Sequence, residues 1–122
     1  MGLDFAIDEL YATGWTALDS SGCLRHTDGR WYPGVTRVTS EFKSSGFDLS
    51  VRHIQLFDCF RAEWKDAIGT PSGAVVGRTQ AEAAVYALSH MRRRAAAAAH
   101  AEPARADTMV ELKAGSTLRV GA

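Results

Sequence analysis

The sequence predicts an α+β fold: an antiparallel three-stranded sheet packed by helices, in the order helix–strand–strand–strand–helix, with an extra N-terminal helix and a C-terminal extension. Three observations carry that expectation. Phe47-Asp48-Leu49-Ser50-Val51 alternates apolar and polar residues with period two. Phe60, Ala62 and Trp64 alternate again on a second run. Thr79 and Glu82 then form a capping box ahead of Ala81, Ala84, Val85, Leu88 and Met91, a stripe with the 3.6-residue period of a helix. A chain of 122 residues is long enough for one core. The expected division is a single α+β domain over 1–99 and an extension over 100–122, read as a short hairpin docked on a partner copy.

The elements follow in order. Leu3, Ile7, Leu10 and Tyr11 line one face of a first helix, which Asp4 is placed to cap and Gly14 to stop. Leu24–Thr27 and Arg30–Tyr32 flank Asp28-Gly29, a type I′ hairpin signal. Pro33 ends that ladder. Val35, Val38 and Phe42 share a face of a helix over 35–45, with Gly46 just past its end. The alternation begun at Phe47 slips at Ile54 and Leu56, which calls for a bulge near Arg52-His53 or a turn there. Gly69-Thr70-Pro71-Ser72-Gly73 has turn chemistry, leaving Ala74-Val75-Val76 as a short third strand. The last helix continues through Ala95–Ala99 on alanine propensity, Pro103 breaks it, and 108–120 reads as a hairpin about Ala114-Gly115-Ser116.

Composition narrows the function classes. The chain has 14 basic and 14 acidic residues, and this balance argues against a dedicated nucleic-acid binder or an electrostatic membrane anchor. The charge is nonetheless uneven: Asp4, Asp8, Glu9 and Asp19 make the start acidic, while Arg78 and Arg92–Arg94 make the last helix basic. No run approaches the 18 apolar residues of a membrane span. Met1–Leu10 carries three acids and no base, unlike a signal peptide. Two cysteines make no disulfide framework, so a reducing cytoplasm is the expected compartment.

No motif names a reaction. Cys23 and His26, three apart, with His53 and Cys59, are the residues from which a zinc site would be drawn, although structural zinc usually brings tighter pairs. Cys59, with His53 near it in sequence and Asp58 and Glu63 beside it, is the thiol from which nucleophilic chemistry would be drawn, although nothing else there imposes an activated thiol. Gly69, Gly73 and Gly77 form neither a phosphate-binding P-loop nor a dinucleotide fingerprint, so no cofactor is implied. Trp31-Tyr32 beside the hairpin turn, with Arg92, Arg93 and Arg94, are the candidate interaction residues; alternatively, the two aromatics seal the sheet edge against the first helix.

From Val35 to Arg94 the order of elements resembles that of double-stranded-RNA-binding domains. The resemblance is topological, and it implies nucleic-acid binding through the helix–sheet–helix unit. That family places a lysine-rich segment at the start of its last helix; the matching stretch here, Gly77-Arg78-Thr79-Gln80-Ala81-Glu82, has one arginine and a glutamate. The reading that best joins these features is a non-enzymatic interaction or assembly module acting through self-association or partner docking. The alternatives are a nucleic-acid-binding domain and a small metal- or ligand-binding enzyme.

Overall fold

The computed structural model describes residues 2–115 and 117–118, and the side chains of residues 2–99. The fold is α+β as expected; the described residues form three α-helices, one 3₁₀ turn, a three-stranded antiparallel sheet and two two-stranded pairs. The chain divides into two compact units, Met1–Arg92 and Arg93–Ala122.

Helix α1 (Leu3–Ala12) buries Ala6, Ile7 and Leu10. Asp4 does not cap it. The cap position lies two residues earlier, at Gly2, and Asp4 turns instead to His26. Gly14 closes the helix at φ +88°, where a side chain would be strained.

Strands β1 (Cys23–Arg25) and β2 (Trp31–Pro33) pair antiparallel, with Arg25 opposite Trp31. Their connection is not a two-residue type I′ turn. The Gly29 N–H donates to the His26 carbonyl and the His26 N–H to the Arg30 carbonyl. Only Gly29 in this turn has positive φ, so Thr27 and Asp28 form an ordinary turn and Gly29 closes a bulge after it. Type I′ would require Asp28 in the left-handed region as well.

Helix α2 (Val35–Ser44) buries Val38 and Phe42 fully and ends at Gly46, again with φ +88°. Strand β3 (Phe47–Ile54) pairs with β4 (Cys59–Asp66) in unbroken register from Phe47–Asp66 to Ile54–Cys59. No bulge forms near His53; the alternation ends because the chain turns through a 3₁₀ segment, Gln55–Phe57, and Asp58 at φ +48°. The bulge lies in the next pairing, between Trp64 and Lys65 of β4 against β5 (Pro71–Gly77). Strand β5 is longer than the sequence implied. Pro71, Ser72 and Gly73 belong to it, because a proline is tolerated at the first residue of an edge strand.

Val51, Ala62, Trp64 and Val75 of the sheet's inner face join the core under the helices. Phe42 of α2 meets Trp64, with ring centroids 5.3 Å apart. Helix α3 begins at Gln80 and buries Ala83, Ala84, Val85, Ala87 and Leu88 in its first turns. Phe5 of α1 meets Tyr86, with centroids 5.8 Å apart. Thr79 caps α3 as expected: its Oγ1 accepts the Glu82 N–H at 3.0 Å. The returning Glu82 carboxylate accepts the Arg78 N–H at 3.3 Å, one residue before the usual partner.

In the second unit, α3 continues without a break at Pro103 and ends at Lys113. Its alanine-rich approach supplies high helix propensity, against the one backbone hydrogen bond a proline removes. Two two-residue strands follow, β6 (Ala114–Gly115) and β7 (Thr117–Leu118). Ser116, at the centre of the expected hairpin, and 119–122 lie outside the described residues.

Candidate interaction edge

The structure does not gather the residues from which a zinc site was drawn. Cys23 is half-buried beside Arg37, whose guanidinium donates to its sulfur at 3.6 Å; burial raises the thiol's pKa more strongly than Arg37 lowers it. His26 pairs with Asp4. His53 pairs with Asp58 at 3.0 Å and meets the Phe60 ring at a tilt, with centroids 5.0 Å apart. Cys59 stands opposite Ile54, and His53 opposite Phe60, which puts His53 and Cys59 on opposite faces of the sheet. No thiol–imidazole pair follows from that register. One group of three potential ligands exists among the described residues, and sequence spacing did not find it: Asp4, His26 and Asp28, whose ligand atoms lie within 4.8 Å of one another.

The aromatic pair Trp31-Tyr32 closes the ribbon against α1. Tyr11 donates its hydroxyl to the Trp31 carbonyl at 2.7 Å, the Arg25 guanidinium lies 5.2 Å from the Trp31 ring centre, and Tyr32 packs against the core. Arg92 is fixed to the end of α1, donating to Thr13 Oγ1 at 2.9 Å. Arg93 and Arg94 are exposed on α3 in the second unit. Arg37 is committed as a clamp: it donates to Glu41 at 3.0 Å and to the carbonyls of Asp19 and Ser21 at 2.8 and 2.5 Å. Arg78 precedes α3 by two residues, about 20 Å along the helix from Arg92. Within Met1–Arg92, Arg37 and Arg92 are thus both engaged in hydrogen bonds to their own unit.

What the structure brings forward is the edge of the sheet. In the order β3-β4-β5, β3 and β5 are the outer strands. They differ in chemistry. β3 carries Asp48, Arg52 and His53, all exposed. β5, PSGAVVG, has no charged residue along its seven positions, and its proline stands only at the first. Charged side chains, prolines and bulges are the usual protection of an edge against another strand. Here the bulge beside Trp64 and Pro71 guard one end, and Gly73–Gly77 is left without such protection. Among the described residues, β5 pairs only with β4.

Two close contacts fix the position of β5. A Cβ at Gly73 would lie 2.3 Å from the Trp64 ring, and one at Gly77 2.6 Å from the Ala83 nitrogen. Both glycines let the strand sit directly on β4 and α3. On the outer face, Ala74 and Val76 are exposed, Val76 by 46%. Beside them Glu63 accepts from Arg61 at 2.5 Å and from Arg52 across the strands at 3.3 Å. The Arg61 hydrogen bond holds the Glu63 carboxyl below the ordinary glutamate range. An open hollow of about 460 Å³ lies at this corner, lined by Arg61, Glu63 and Lys65 of β4 and by Pro71, Gly73 and Ala74 of β5. The sequence signal for the edge was present in the uncharged run 71–77, but its glycines and proline read first as a turn.

No family model, no curated protein and no solved structure matches this chain. No helix among the described residues is long and apolar enough to cross a membrane.

Proposed function

We propose that this chain is a non-enzymatic interaction module that self-associates by pairing β5 with β5 of a second copy. The observation that carries the reading is the uncharged, unprotected outer strand: seven residues with no charge, beside an opposite edge that has three titratable side chains. A strand edge offers alternating donors and acceptors, and two identical edges related by a two-fold axis are complementary by construction. The second copy is favoured as occupant by the charge balance. With 14 basic and 14 acidic residues, two copies approach without net repulsion. Ala74 and Val76 would extend a shared apolar strip across the seam.

Light-scattering mass of the full chain tests this. The expected result is a dimer that becomes monomeric in the double variant Ala74→Lys/Val76→Lys, with the circular-dichroism spectrum unchanged. Both positions are exposed, so the substitutions spare the core while placing like charges along both sides of the seam. A wild-type chain that stays monomeric throughout the micromolar range rejects the reading. A dimer indifferent to the lysines places the contact elsewhere.

A further inference from the structure

Away from the β5 edge, three side chains from two elements converge at the ribbon turn. We infer that Asp4, His26 and Asp28 form a binding site for a divalent transition-metal cation of the zinc class. The donor set is one imidazole nitrogen and two carboxylate oxygens, a mixture that suits borderline cations better than magnesium or calcium, which prefer oxygen alone. The three ligand atoms lie within 4.8 Å of one another. Ligands at about 2.0–2.2 Å from a tetrahedral zinc ion are about 3.4 Å apart, so the direct Asp4–His26 contact would open to admit the ion and Asp28 would close on it from the ribbon turn.

The surroundings hold the donors in place. The Arg30 backbone N–H donates to Asp28 Oδ1 at 2.9 Å and its guanidinium to Asp28 Oδ2 at 2.8 Å, which fixes that carboxylate's orientation. The His26 and Tyr32 rings meet in a T-shaped pair with centroids 6.2 Å apart, and the His26 side chain is only 16% exposed. Asp4 comes from the first turn of α1, twenty-two residues away in sequence, and already reaches His26 Nε2. Arg30 also binds Asp8 at 2.5 Å. Arg30 thus spans two carboxylates, Asp8 and Asp28, while Asp4 pairs with His26, so three carboxylates stand against one guanidinium, an excess of two negative charges over that cation. A divalent cation balances them. Asp4 is 75% exposed, so the remaining coordination positions face water and the bound ion would exchange. Bound there, it would tie α1 to the ribbon turn.

The test is calorimetric titration of the full chain with zinc chloride, paired with the ultraviolet–visible spectrum of the cobalt(II) complex. The expected result is one ion per chain. Asp4→Asn and His26→Asn should each weaken binding about tenfold or more, while His53→Asn, at the separate pair with Asp58, leaves it unchanged. Asp4→Asn alters an exposed side chain and serves as the variant least able to disturb folding, which circular dichroism checks. The inference is overturned by absence of saturable zinc binding, by equal affinity in wild type and both variants, or by thiolate-to-cobalt charge-transfer bands, which would assign the ion to Cys23 or Cys59.

Discussion

Gly77 joins the sheet to the last helix. A methyl group there would meet the Ala83 nitrogen at 2.6 Å, and backbone cannot swing aside as a long side chain can. Gly77→Ala is therefore expected to cost about 1–3 kcal/mol in urea denaturation, the range of overpacked core positions. Ser50→Ala, at an exposed position on the outer face of β3, is the control and should leave the midpoint nearly in place. Equal behaviour of the two would mean that β5 and α3 separate at little cost. The need for glycine was not legible beforehand. In the sequence Gly77 is one member of a four-residue spacing, and what constrains it is a neighbour six positions on that a helix brings back. Thr79 was legible, because a capping box is a local arrangement in which both partners lie within one turn. The Asp4–His26 contact was not, since it depends on how α1 meets the ribbon.

Among the elements, strand boundaries followed alternation where one face is buried and departed from it where glycine and proline intervene. Phe47–Val51 and Phe60–Trp64 kept their pattern, because their inner positions join the core. Residues 71–73 did not read as strand, although Gly73 is required there by the Trp64 ring. The outer face of the sheet carries a pH dependence. Glu63 has its carboxyl pKa lowered by hydrogen bonding to Arg61. A group depressed in the folded state contributes stability that is fully present above its unfolded pKa, and that contribution is lost as the pH falls through the folded value. The melting temperature of wild type should accordingly exceed that of Glu63→Gln at neutral pH, and the gap should close on acidification below the ordinary glutamate range. Glu63 is partly exposed, so the gap is small and shrinks with added salt. A gap that persists in strong acid would refute the assignment.

For the molecule as a whole, the fold class was legible because the two periods, two and 3.6, occupy separate stretches of the chain. The position of the candidate sites was not, because both are made by contacts between elements: an edge left outermost by sheet order, and a triad drawn from α1 and the ribbon turn. One consequence concerns time rather than place. Every strand pairing in Met1–Arg92 joins neighbours in sequence, β1 with β2, β3 with β4 and β4 with β5, through connections of four or five residues. Closing such short loops costs little entropy, and no strand must search for a distant mate. Folding of this unit should therefore belong to the fast class, completing in about milliseconds in a stopped-flow refolding experiment followed by burial of Trp64. A dominant phase of seconds would instead mean that the rate is set by a distant docking, such as that of α1, which begins the chain and must find a helix some seventy residues away.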